Sequence, residues 1–221
     1  MEVSAVAFPI QSVQVDWDRL VAKLPMVLDT IDAMPVYLLK LEVLRLLDAK
    51  KHPTFRLILD LMWTIGARIS QVLALNPTAF IDDGYDFGVI LITLKQRPGR
   101  STKKALQRSP KRYTSITDHD LEDRIQSYLH AEHFKKTERI FSVCRDGEPA
   151  YSYLSEQCRG APFAISAYTF QHSFAIHLLS HGRLLKYVSQ LLGHKSVDSI
   201  EIYTNVLTID GPHFLNGVDF H

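Results

Sequence analysis

The chain has 221 residues, of which 46% are hydrophobic and 22% charged, with a net charge of +1. That is the balance of a globular protein with one large domain, or one domain and a short extension. No apolar run approaches the roughly 18 residues of a membrane span, and the opening MEVSAVAFPIQSV lacks the basic start and apolar stretch of a secretory signal, so neither a membrane partner nor secretion is expected. The two cysteines, Cys144 and Cys158, read as free thiols of a cytoplasmic protein.

Residues 1–35 read as an N-terminal extension: one amphipathic piece, Asp16 to Leu24, is followed by the interruptions Pro25, Asp29, Asp32 and Pro35. Residues 36–221 read as a single domain. Leu38, Leu39, Leu41, Val43, Leu44, Leu46 and Leu47 form a near-helical stripe. Thr54 to Thr64 reads as a largely buried helix that Gly66 stops, and a third helix runs from Arg68 or Ile69 to Leu75, before Pro77. The period then changes. Phe87 to Leu94, rich in Val, Ile and Thr, predicts a strand, and Tyr113 to Ile116 its return across a long loop. Further helices are expected over Asp118 to Phe134, capped by Thr117 or Asp118, and over Tyr151 to Arg159, Thr169 to Ser180, Leu184 to Leu192 and Val197 to Val206. Arg139 to Val143 reads as a short extended piece. The fold class is α+β, mainly helical, with a small antiparallel sheet.

Net charge conceals an uneven distribution. No acidic residue lies between Asp86 and Asp118, while Lys95, Arg97, Arg100, Lys103, Lys104, Arg108, Lys111 and Arg112 all fall there. Such a cluster is the footprint of phosphate binding, or else a solvated basic loop; double-stranded DNA is the partner it suggests.

Two segments are more specific. One is Thr64-Ile65-Gly66-Ala67-Arg68-Ile69-Ser70-Gln71-Val72-Leu73-Ala74-Leu75. The other holds Gln171-His172-Ser173-Phe174-Ala175-Ile176-His177-Leu178-Leu179, then Leu191-Leu192-Gly193-His194, then Tyr203-Thr204. In order and spacing, over about residues 36 to 206, they resemble the tyrosine recombinase (phage integrase) family, whose patterns read T-G-x-R-I-S-E-x-L-x-L, H-x-x-R-H-S-F-A-x-H-L-L, L-G-H and Y-T. The resemblance implies that family's catalytic-domain fold and attack of a tyrosine on a DNA phosphate to give a 3′-phosphotyrosyl link. It places Tyr203 as nucleophile, Arg68 and His194 on the non-bridging oxygens, and Lys95 as the acid for the leaving 5′-oxygen, with Lys103 and Lys104 as substitutes. The residue types suit the chemistry. A phenol of pKa about 10 is roughly 0.1% ionised at pH 7, and activating it costs about 4 kcal/mol, which nearby cations reduce. Arginine's planar fork matches two phosphoryl oxygens.

The sequence departs from the pattern twice. Gln171 stands where the second arginine belongs and Tyr168 where the acid–base histidine belongs. Three apart on a helix, they share one face. Losing one charged donor costs on the order of 10²–10³ in rate, and losing the proton-transfer group about 10²–10⁴. The expectation is therefore a DNA-binding protein on a degenerate recombinase fold, a regulator or accessory factor of a mobile element. The rivals are an active minimal recombinase, its missing arginine supplied by Arg159 or Arg183, and a protein-interaction module. Arg68, His194 and Tyr203 are expected to converge on one basic pocket lined by Gln171 and Tyr168. His172 and His177 are read as packing and structural hydrogen-bonding groups; with no carboxylate or cysteine at metal spacing, neither a metal nor a cofactor is expected. Family members carry a separate N-terminal domain that clamps the far side of the DNA, and residues 1–35 are too short for one. A homo-oligomer through the C-terminal segment and a nucleoid-associated location complete the expectations.

Overall fold

The structure is a computed structural model that describes residues 36–49, 52–92, 111–141, 165–194 and 202–203, with isolated positions 18, 22 and 25. The expected helix over Tyr151 to Arg159 lies outside the described residues, as does that over Val197 to Val206 apart from residues 202–203.

Helix α1 spans Lys40–Asp48. Its N-cap is an apolar residue, Leu39, so the cap is made from inside: the Leu39 backbone N–H donates to Glu42 Oε2 at 2.8 Å. Helix α2, Pro53–Ile65, starts with proline in its first turn and stops at Gly66, which takes the left-handed conformation at φ 61°. A side chain at Gly66 would also strike Phe174, whose ring lies 2.5 Å from where a Cβ would be. Within α2 the buried carboxylate of Asp60 accepts from Arg56 Nε at 3.0 and 3.1 Å. Arg124 Nε lies 3.2 Å from it as an ion pair, without the alignment of a hydrogen bond. This ties α2 to α4, His119–Glu132, whose N-cap Asp118 accepts from Leu121 N–H at 3.1 Å.

Short helix α3, Ile69–Val72, follows the Gly66 turn. Three antiparallel strands come next: β1 Phe80–Asp82, β2 Phe87–Ile92 and β3 Lys111–Ser115, in the order β1-β2-β3. Strand β1 was not expected. It is three residues long, and its turn into β2 is made by Asp83, which accepts from the backbone of Tyr85 and Asp86. Strand β3 begins two residues before the expected Tyr113, so Lys111 and Arg112 belong to the sheet, paired with Ile92 and Leu91, and not to the basic loop. Arg139 to Phe141 forms no strand and bends at Ile140 and Phe141, where the buried Ile140 N–H donates to Leu75 O at 3.0 Å.

Helix α5, Ala167–Ser180, has ten buried residues out of fourteen and packs on α2. It begins two residues before the expected Thr169, because Ser166 and Thr169 cap one another reciprocally, and this brings Tyr168 into the first turn. Ser173 Oγ donates to Thr169 O and accepts from Leu38 N–H, both at 2.7 Å, fastening the entry to α1 onto α5. Helix α6, Leu185–Leu191, ends at Gly193, at φ 64°. The main core gathers α1 to α4, the sheet and the first turn of α5. A second cluster, Tyr37, Leu39, Phe174, Ala175, Ile176, Leu179, Val188, Leu192 and Tyr203, fills the space between α5, α6 and the segment before α1. No described helix is long and apolar enough to cross a membrane.

Candidate active site

Arg68 is the N-cap of α3, set by the Gly66 turn that presses on Phe174. Its backbone N–H donates to Gln71 Oε1 at 3.0 Å, and the same buried amide donates from Nε2 to Ile92 O at 3.3 Å. One glutamine thus locks the Arg68 turn to the end of β2, beside the rung where Leu91 faces Arg112. Strand alternation turns Arg112, Thr114 and Ile116 inward and Lys111 and Tyr113 outward. All three guanidinium nitrogens of Arg112 are buried and find no hydrogen-bond partner among the described residues. Burial first, and the charge of Arg68 second, pull its pKa down to about 10; it stays cationic at neutral pH.

The facing wall is α5. Arg68, Ile69, Ser70 and Leu73 from the α3 side, and Ala167, Tyr168 and Gln171 from α5, line one cleft. None of these residues is acidic. Gln171 is buried, and its Nε2 has no partner among the described residues; Tyr168 is 58% exposed. His194, after the α6 cap, is pushed below the usual histidine value by burial and then by Arg68 and Arg112. His172 is pushed down to about 4 by burial and then by His194. Its Nδ1 lies 2.5 Å from the Tyr203 hydroxyl, with the two rings tilted at 57°. Tyr203 is buried, which pushes its pKa up to about 12. Arg68, Arg112, His194, His172 and Tyr203 therefore form one connected chain of interacting groups. At neutral pH Arg112 is charged, while His172 and the phenol are not.

The structure brings Arg68, Gln171 and Tyr168 into one cleft; His194 and Tyr203 are not among the residues that line it, His194 feeling the charge of Arg68 and Tyr203 meeting His172. Lys95, Arg97, Arg100, Lys103, Lys104 and Arg108 lie outside the described residues. Lys111 is exposed on β3. Of the two arginines suggested as substitutes, Arg183 is exposed in the turn between α5 and α6, and Arg159 lies outside the described residues. Sequence reasoning missed the inward turn of Arg112, which period-two alternation would have shown had the strand been begun at Lys111. His172 is a hydrogen-bonding group, as expected, but its partner being Tyr203 was not legible. Among the described residues no three His, Cys, Asp or Glu side chains cluster as a metal site.

The family model described as the phage integrase family matches residues 37–208. The chain belongs to the phage integrase family. Among curated members, a protein named "Resolvase" from Escherichia coli is 30% identical over 203 residues, spanning 81% of this chain and 76% of that protein. Among solved structures of the fold, XerA recombinase superposes with a TM-score of 0.62 at 21% identity, over 83% of this chain and 67% of that one. XerH, bound to a palindromic difH substrate in a post-cleavage complex, gives 0.63 at 20% identity, over 83% of this chain; this chain spans about half of it, 52%. The mainly helical architecture with a small three-stranded sheet is thus the catalytic-domain fold of the phage integrase family, and the chain is a site-specific recombinase relative.

Proposed function

We propose that the chain is a DNA strand-cleaving and rejoining recombinase of the resolvase kind, which binds duplex DNA at the Arg68 cleft and uses Tyr203 to form a 3′-phosphotyrosyl link. The observation that carries this reading is the connected chain from Arg68 and Arg112 through His194 and His172 to Tyr203. What supports it is that Arg68 lines the cleft, that the Arg112 guanidinium finds no hydrogen-bond partner among the described residues, and that two guanidinium groups suit a phosphodiester with its two non-bridging oxygens, while the family motif assigns Tyr203 as nucleophile. Phosphoryl transfer rests largely on such positioning and charge stabilisation. The name of the Escherichia coli relative and the DNA complexes of XerH agree with it.

A second reading has its own observation: Gln171 is buried at the cleft with an unpartnered neutral amide, and Tyr168 stands beside it without an imidazole. On that reading the chain binds DNA but cleaves it poorly, as an accessory factor or regulator of a mobile element. The deciding experiment selects the duplex the protein prefers from a random pool, nicks it so that the cleaved end diffuses away, and looks for a covalent adduct. An adduct that mass spectrometry maps to Tyr203, absent in Tyr203→Phe, establishes the recombinase reading. Tight selective binding with no adduct establishes the second.

A further inference from the structure

We propose that His172 is the proton acceptor for the Tyr203 hydroxyl, taking over, one helical turn further along α5, the acid–base work that the family motif assigns to the position of Tyr168. The proposal rests on the cleavage reading above. Three observations converge on it.

The first is contact. His172 Nδ1 is the ring nitrogen that meets the Tyr203 hydroxyl, at 2.5 Å, in direct hydrogen-bonding contact. The second is position. Residues 168 and 172 are four apart on one helix and stack on the same side, so an acid–base group moved by one turn still faces the site. Tyr168 itself is 58% exposed, whereas Tyr203 is buried. The third is protonation. Burial first, and the charge of His194 second, hold the His172 ring neutral, His194 itself feeling Arg68 and Arg112; in the tautomer protonated on Nε2, the one the proposal requires, the Nδ1 lone pair accepts from the phenol.

The step balances without any group outside the chain and the DNA. As the Tyr203 oxygen bonds to phosphorus, its O–H bond breaks and the proton passes to His172 Nδ1. The bond from phosphorus to the 5′-oxygen breaks, and that oxygen takes a proton from an ammonium group of the basic segment, at Lys95 by the motif. The imidazolium so formed stands next to the phosphate, whose negative charge favours it. Rejoining runs the same transfers backwards, with His172 returning the proton to the phenol.

The experiment has two parts. With the selected nicked duplex, His172→Gln, which keeps a hydrogen-bonding side chain but cannot take up a proton, is expected to slow Tyr203 adduct formation by about 10²–10⁴-fold. It should also replace a plateau above the histidine ionisation with a rate that climbs tenfold per pH unit, as hydroxide takes over. Small imidazoles added to His172→Ala should restore part of the rate. Full speed in His172→Gln, or a uniform slowing with an unchanged pH profile and no imidazole rescue, overturns the proposal and leaves His172 as a group that only positions the tyrosine. The second part needs neither DNA nor cleavage: nitrogen NMR of the ¹⁵N-histidine protein at neutral pH. The proposal requires Nδ1 of His172 unprotonated and Nε2 protonated, with Nδ1 shifting in Tyr203→Phe. A proton on Nδ1 overturns it, whatever the cleavage assay shows. Failure of wild type to form any adduct, with the required tautomer present, instead counts against the cleavage reading itself.

Discussion

A guanidinium buried without an anion is costly, and that of Arg112 finds no hydrogen-bond partner among the described residues and feels the charge of Arg68. An incoming phosphodiester is the natural anion to relieve it. Arg112→Gln is therefore expected to slow Tyr203 adduct formation by about 10²–10³-fold, read as single-turnover rates on a nicked duplex. Gln171→Arg should change that rate by less than about a factor of ten, 1.4 kcal/mol in the barrier, because Arg68 already lines the cleft and Arg112 is a second cation close enough to feel the charge of Arg68. A gain far larger than this would mean that Gln171 had left the phosphate poorly held and that Arg112 does not reach it. At this scale the sequence was readable where a motif fixed a residue's neighbours: Arg68, Gln171 and Tyr168 share a cleft, as spacing and order implied. It was unreadable where function depends on which way a strand faces or which ring meets which. Arg112 stood last in a run of eight cations, and nothing short of the strand register separated it from the solvated ones. His172 and Tyr203 are 31 residues apart, a pairing set by the packing of α5 against the second core cluster.

Helix α5 is the element on which the site depends. It supplies Tyr168, Gln171 and His172, and its Phe174 presses on the Gly66 turn that sets Arg68. Gly66→Ala should destabilise the protein by roughly 2–4 kcal/mol, combining a left-handed φ with overpacking against the ring. Adding Phe174→Leu should recover the overpacking part and leave the backbone part; urea midpoints of the two variants read this out, and no recovery would mean that the turn, not the ring, carries the whole penalty. The same helix makes stability depend on acidity. His172 and His177 both have pKa values pushed from 6.5 down to about 4, chiefly by burial. An unfolded histidine takes up its proton near 6.5 and these folded ones only near 4, so their contribution is complete above about pH 6.5 and is lost as pH falls toward 4. Each contributes on the order of 1–3 kcal/mol. Denaturation midpoints should hold steady from pH 8 to 7 and fall between 6.5 and 4.5, and a flat profile across that window would show that the rings are not held neutral. The helices were legible because long apolar runs ending at Gly66, Gly182 and Gly193 leave few alternatives. Strand β1 was not, because three residues carry no period.

For the whole molecule the telling quantity is how charge is spread. The total is +1, yet eight cations and no acidic residue lie between Asp86 and Asp118, so the rest of the chain carries a net −7. Cations so concentrated in one stretch of sequence would draw DNA to that stretch and orient it before any groove is read. The domain's overall class was readable from sequence, because it is a sum over many residues. Which of the eight cations meet phosphate was not, because Arg112 turned inward and Lys111 stayed exposed within one strand. Binding to a duplex should therefore weaken steeply with salt, log K falling against log salt with a slope near −0.9 for each phosphate neutralised. Replacing Lys103 and Lys104 together by alanine should flatten that slope by up to about two such units and lower affinity alike for all duplex sequences. Lys135→Ala and Lys136→Ala, outside the basic window in an exposed turn, should leave both unchanged. An unaltered slope in the Lys103, Lys104 variant, with affinity intact, would identify the segment as a solvated face and transfer the electrostatic part of DNA binding to the cleft around Arg68.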